Sequence, residues 1–186
     1  VLGDAITKGF DGFDMDKAWN ALKVSSMNTD RGQGERMKYG YIPSELWNEA
    51  VAYECEYAVA DWAVAQAAKK LGKTEDYEYF LERSHSWRKH FDPETGFVRG
   101  LTADGKFREP FNPYHSDPRA DDYCEGNAWQ YTWLAPHDIE GMLENWGSKE
   151  NMLHNLDSLF KADSKLEGEN VSADISGLIG QYVHGN

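Results

Sequence analysis

The stretch SELWNEAVAYECEYAVADWAVAQAAKKLG, residues 44–72, reads as the strongest helix in the sequence. Val51, Cys55, Ala58, Trp62 and Ala65 recur at alternating steps of four and three, so they fall along one helical stripe. Ser44 is an N-cap residue type ahead of that run, and Gly72 supplies a stop after Leu71. Glu54 and Asp61 share another face. Acids so spaced on a helix are expected to form a solvated stripe, with a functional pair as the competing reading.

The flanking segments have the same character. Asp4 to Gly12 reads as a short apolar helix. Asp14 is placed to cap a helix running to about Met27, with Ala18, Leu22 and Ser25 inward. Residues 28–43 carry glycines and alternating charge and read as a long loop, a kind that tends to be functional in compact domains. Thr74 is expected to cap a helix from Glu75 to about Phe91, with Tyr77, Phe80, Leu81, Ser84 and Trp87 on its apolar side. His85 and His90, near its basic end, read as structural. Asp104-Gly105 predicts a small hairpin near 97–108. Further on, Asp138 caps a helix to about Trp146, Ser148 caps another to about Ala162, and Ile175 to Tyr182 reads as a last short helix. No strand pattern is strong enough for a sheet core and no fixed repeat is present, so the class is all-α, built of helical hairpins.

Chemistry concentrates between Asp122 and Asp138. This stretch holds Asp122, Glu125 and Asp138, the amides Asn127 and Gln130, the rings Tyr123, Trp129, Tyr131 and Trp133, and His137. As a helix from about Gly126 it would put Glu125, Trp129 and Trp133 on one face with Gln130 beside them. A carboxyl, an indole and an amide together suit a sugar: the ring stacks on the CH face, the amide bonds hydroxyls, the carboxyl moves a proton. The plainer reading is that an acid in a first turn answers the helix dipole and that aromatics every fourth residue are core.

Composition narrows the classes. Nineteen basic against 32 acidic residues give a formal charge of −13, which argues against nucleic acid as a partner. Seven Trp fit carbohydrate handling and also fit a large core. The two cysteines, Cys55 and Cys124, are too few for a disulfide framework and lack metal-ligand spacing. No run reaches transmembrane length, and no signal-peptide pattern is read in these residues, which says nothing of the parent chain. The sequence opens at Val1 without Met and stops at Asn186, so residues 1–186 are expected to be a partial domain, cut at both ends.

The run Glu125-Gly126-Asn127-Ala128-Trp129-Gln130-Tyr131, with Trp133 and Pro136-His137-Asp138, resembles the signature of the calcium-dependent exo-α-mannosidases, glycoside hydrolase family 92. The likeness extends through Lys38-Tyr39-Gly40-Tyr41-Ile42-Pro43, Glu56-Tyr57-Ala58, Phe91-Asp92-Pro93-Glu94-Thr95-Gly96-Phe97 and Arg108-Glu109-Pro110-Phe111. It closes on Gln181-Tyr182-Val183-His184-Gly185-Asn186.

The resemblance implies part of an (α/α)6 toroid catalytic domain that removes terminal α-linked mannose from glycans with inversion, α-1,2-linked mannose among the substrates. It implies Glu125 as general acid, Trp129, Gln130 and His184 as substrate-binding residues, and a bound Ca2+ to which Asn186 is the candidate ligand here. The family's base carboxylates would follow residue 186, so these residues alone are expected to be inactive and to need the rest of the parent chain, including an N-terminal β-sandwich, as partner. Secreted, periplasmic or cell-surface location is the family expectation. The rival readings are an (α/α)6 glycosidase with another sugar preference and a non-catalytic carbohydrate-binding toroid. His115 and His154 read as surface residues and His137 as a hydrogen-bonder at a helix start.

Overall fold

The long helix exists, but it starts later than its pattern suggests. In a computed structural model, which describes residues 1–185, it is α4, Ala50–Lys70. Ser44 does not cap it. That residue is buried, and its N–H donates to the Leu101 carbonyl at 2.9 Å. The first N–H groups of the helix go to carbonyls far along the chain: Glu49 N to Asp121 O at 2.7 Å, and Val51 and Ala52 N to Asp122 O at 3.1 Å each. These contacts satisfy the orphan donors of a helix start without a side-chain cap.

Helix α4 is buried on nearly every side, which its many alanines allow. Helix α5 (Thr74–Ser84) folds back along it after a short turn at Gly72, forming a helical hairpin. Helices α1 (Leu2–Thr7) and α2 (Met15–Ser26) cover its other half. At Gly3, a Cβ would sit 2.9 Å from the Ala63 carbonyl oxygen, so glycine lets α1 lie close against α4. Asp14 caps α2 as expected, accepting from Lys17 N at 3.1 Å. On α2 the buried residue is Trp19, with Ala18 and Leu22 partly covered and Ser25 exposed.

Two expectations about α4 fail. Trp62 lies 37% exposed, whereas Glu54 and Asp61 are 0% and 2% exposed. The acids are neither solvated nor free, because the 28–43 segment is not a plain loop. It contains α3 (Gln33–Tyr39), held between left-handed Gly32 and Gly40. Helix α3 delivers Arg36 to Glu54 at 2.7 Å and to Asp61 at 2.6 Å, and α5 brings Arg83 to Asp61 at 2.9 Å.

Thr74 opens α5 without capping it, and α5 ends at Ser84, where a 3₁₀ turn (Ser86–His90) takes over. Strand β1 (Phe91–Asp92) then pairs antiparallel with β2 (Phe97–Val98), Phe91 opposite Val98. The hairpin expected near 97–108 is a single bridge, Leu101 to Phe107, around Asp104-Gly105. Helices α6 (Ala128–Tyr131), α7 (Ile139–Trp146) and α8 (Lys149–Lys161) follow. Asp138 and Ser148 cap the last two, accepting from Gly141 N and Asn151 N at 3.1 Å each. The predicted final helix is absent. Leu178–Ile179 (β3) and Tyr182–Val183 (β4) form an antiparallel pair instead, because Gly177 and Gly180 adopt φ of 65° and 59°. A Cβ on Gly180 would run into the backbone of Leu159 and Phe160, so the turn sits directly on the end of α8.

Two apolar clusters hold these elements. Val51, Cys55, Ala58, Trp87, Val98 and Met142 belong to one, beside the chemistry-bearing stretch. Ile6, Trp19, Val64, Ala68 and Phe80 belong to the other, under α1 and α2.

Candidate active site

The stretch from Asp122 to Asp138 is less helical than its pattern suggests. Helix α6 covers only Ala128–Tyr131, and Asn127 starts it with a capping box. Asn127 Oδ1 accepts from Trp129 N at 3.0 Å, while Gln130 Oε1 accepts from Asn127 N at 2.7 Å. That cap places Glu125 outside the helix, in the left-handed region at φ 49°. The expected shared face is therefore not formed. Trp129 turns toward Phe97 (ring centroids 4.9 Å) and Tyr114 (5.7 Å). Tyr123 points inward, donating its hydroxyl to the Val98 carbonyl at 2.8 Å.

Glu125 is exposed and lies on a groove of about 460 Å³. Tyr131, Trp133, Leu134 and Tyr182 give the groove its apolar and aromatic walls, and Glu56 of α4 adds a second carboxyl. Trp133 is fixed by stacking on Trp146, 4.8 Å between centroids and 17° from parallel. The Tyr131 hydroxyl donates to the Cys124 carbonyl at 2.6 Å, and burial holds that phenol well above its ordinary range. Burial, then the nearby Glu49 carboxylate, pushes the Cys124 thiol up to about 11, so it stays protonated beside Glu125 at neutral pH.

Gln130 reaches the groove, yet both ends of its amide serve the backbone: Oε1 takes Asn127 N and Nε2 donates to Gln181 O at 2.5 Å. His184 is exposed, with Nδ1 3.1 Å from the Tyr182 hydroxyl. Tyr182, not His184, lines the groove. Asn186 lies outside the described residues. Among the described residues no three His, Cys, Asp or Glu side chains converge to hold a metal ion.

The acids just upstream are structural. Asp121 accepts from Asp117 N at 2.6 Å and Tyr123 N at 2.9 Å, with His115 at 3.2 Å. Asp122 lies 3.2 Å from Arg108, and burial raises both carboxyls. His137 bonds the Ser84 carbonyl through Nε2 at 2.9 Å, tying the start of α7 to the end of α5. His154 is exposed, and His90 is wholly buried.

A family model described as the glycosyl hydrolase family 92 catalytic domain matches residues 1–186. The chain belongs to that family.

Its hairpins are accordingly part of the (α/α)6 toroid of the family 92 catalytic domain. A family 92 α-mannosidase from Bacteroides thetaiotaomicron, solved in complex with mannoimidazole, is similar at 39% identity and a TM-score of 0.89, over 100% of this chain and 25% of that one. An inverting family 92 mannosidase from the same organism is 32% identical with a TM-score of 0.79, over 88% and 23% of the two chains. A protein of Arthroderma benhamiae described as an uncharacterized secreted glycosidase is 24% identical over 86% of this chain and 25% of its own length. The chain thus spans about a quarter of the length of these relatives. Among the described residues no helix is long and apolar enough to cross a membrane.

Set in family 92, the groove adds residues that the motif reading did not place there. Glu56 is exposed on α4, on the side that the Val51–Ala65 stripe leaves free. Tyr182 carried no local signal, since its place depends on the turn at Gly180.

Proposed function

We propose that this chain supplies the acid side of the active site in an inverting α-mannosidase that removes terminal α-mannose, α-1,2-linked mannose included, from glycans. The observation that carries the reading is Glu125, exposed on a groove walled by Tyr131, Trp133 and Tyr182. Aromatic faces suit the CH surface of a pyranose, and a carboxyl beside them is placed to protonate a glycosidic oxygen. The likeness to two solved mannosidases supports mannose as the sugar.

Inversion needs a second carboxylate that activates water on the opposite face of the ring, about 6.5–9.5 Å from the acid. We assign that base, and most of the calcium site, to the remainder of the parent domain, with Asn186 as the one ligand offered from these residues. The parent is proposed to act outside the cytoplasm, as its secreted relative does by description.

The test is hydrolysis of α-mannobioses by the full parent protein. Glu125→Gln is expected to lower kcat/KM by about 10²–10⁴, the usual contribution of a general acid. β-Mannose should be the first product seen by NMR, and calcium chelation should abolish turnover. An unaltered rate in Glu125→Gln would remove Glu125 from the role.

A further inference from the structure

Glu125 stands in the left-handed region at φ 49°, where a Cβ is disfavoured and surrounding structure has to hold the chain. Upstream, the carbonyls of Asp121 and Asp122 accept from N–H groups at the start of α4. Tyr123 is anchored through its hydroxyl on Val98 O at 2.8 Å. That leaves the Cys124–Glu125 peptide, the last one before the Cα that bears the carboxyl.

Tyr131 takes hold of that peptide, its hydroxyl donating to the Cys124 carbonyl at 2.6 Å. The ring is braced on Tyr123, 5.5 Å between centroids, and lies against Gly126, where an added Cβ would come 3.0 Å from Tyr131 Cε2. The turn that carries Tyr131 is itself pinned, because Thr132 Oγ1 accepts from Val98 N at 3.0 Å. Beyond Glu125, Gln130 Oε1 holds Asn127 N at 2.7 Å. Two adjacent side chains of α6 thus grip the backbone on either side of Glu125. A peptide unit is planar, so fixing its carbonyl oxygen fixes the plane that runs through the next N and Cα. The Cys124 carbonyl therefore governs the direction in which the Glu125 side chain leaves the main chain. Burial keeps the Tyr131 phenol protonated, so it remains a donor well beyond neutral pH.

We propose that Tyr131 is a positioning residue for the reaction: its hydroxyl, committed to the Cys124 carbonyl, aims the Glu125 carboxyl at the glycosidic oxygen. The assignment rests on Glu125 as the general acid. The ring of Tyr131 remains a wall of the groove, and Tyr131→Phe leaves that wall in place while removing the hydroxyl.

Two substrates that differ in their need for a proton, given to the full parent protein, separate aim from structure. The sugar alcohol leaving α-1,2-mannobiose has to be protonated, whereas dinitrophenolate departs from dinitrophenyl α-mannoside as a stable anion. Tyr131→Phe is expected to lower kcat/KM for the disaccharide about 10- to 100-fold, through kcat rather than KM, the scale of misplacing a catalytic group. The loss on the aryl mannoside should be about tenfold smaller or less. The ratio of the two rates in one preparation is independent of the folded fraction, so a destabilised variant still answers. If Tyr131→Phe does not fold, Gly126→Ala, whose methyl would press on the Tyr131 ring, should shift the ratio the same way and decides the point. Glu125→Gln is measured on the same pair. Selective loss in Glu125→Gln together with an equal loss on both substrates, or none, in Tyr131→Phe overturns the positioning role alone. Unselective loss in Glu125→Gln sinks the acid reading and this proposal with it.

Discussion

Asn127 Nδ2 donates to Gln181 Oε1 over 3.0 Å, with both side chains wholly buried and 54 positions apart in the chain. Gln181 is saturated. Its Nε2 donates to the carbonyls of Asp163 and Lys165 at 2.7 Å each, its N–H goes to Leu159 O at 2.7 Å, and its carbonyl accepts from Gln130. One amide therefore joins the cap behind Glu125, the end of α8 and the hairpin that carries Tyr182.

Gln181→Leu would strand two carbonyls and the Asn127 amide. At about 1–3 kcal/mol per orphaned buried group, a loss of about 3 kcal/mol or more is expected by denaturant unfolding. Gln181→Glu should be no better, since its carboxylate would face the Asp163 and Lys165 carbonyls. A change within about 0.5 kcal/mol, the range of ordinary surface substitutions, would show that the network does not hold the groove together.

Arg36 is the corresponding group under α4. It bridges Glu54 and Asp61, which are buried with it, and also donates to the Arg83 carbonyl at 3.0 Å and Ser86 Oγ at 2.7 Å. Arg36→Met leaves two buried carboxylates short of a partner and should cost about 3–5 kcal/mol. Arg36→Met combined with Glu54→Gln should cost less than Arg36→Met alone. A double variant less stable than the single would contradict the pairing.

These two networks mark where the sequence was legible. Helices α2, α4, α5, α7 and α8 and the caps at Asp14, Asp138 and Ser148 follow from local rules that act within one turn, whereas α3, expected as loop, and the final hairpin, expected as helix, do not. Glu54 and Asp61 were misread because their partners, Arg36 and Arg83, arrive from other elements and leave no local trace. The final hairpin was misread because the fit of Gly180 against α8 is a tertiary contact.

Within the site, the residue types were legible and the face was not, because the Asn127 cap shortened the helix. Trp129 and Trp133 should consequently separate in experiment. Trp129→Ala, removing a ring packed on Phe97 and Tyr114, is expected to cost about 2–4 kcal/mol of stability, toward the low end for a large aromatic because the ring is only partly buried. Trp133→Phe keeps the stack on Trp146 yet trims the groove wall, so it should raise KM for α-mannosides several-fold with a smaller stability change. The reverse pattern would return Trp129 to the binding surface.

His90 gives stability a pH dependence of known sign. Burial holds its imidazole below the ordinary range, against the pull of Glu54 and of the Arg99 carbonyl 3.0 Å from Nδ1. The folded chain keeps His90 neutral, while the unfolded chain protonates it near pH 6.5. Its contribution is therefore complete above about pH 6.5 and is lost as pH falls from there toward the folded pKa, at up to about 1.4 kcal/mol per pH unit. His90→Gln should flatten unfolding free energy between pH 7 and 5, whatever its absolute value. Parallel curves for the two proteins would assign that slope to other groups.

The reach of the groove's own chemistry can be tested on residues 1–186 alone. They present two carboxyls to it, Glu125 from the loop before α6 and Glu56 from α4. Inversion requires an acid and a base on opposite faces of one sugar, and with the base assigned to the rest of the domain, the isolated chain should bind mannosides at most weakly and release no mannose. Mannose release that disappears in Glu125→Gln would mean that the base is already present. Glu56→Gln would then be the deciding variant: loss of that release would make Glu56 the base, and its persistence would exclude Glu56 from that role.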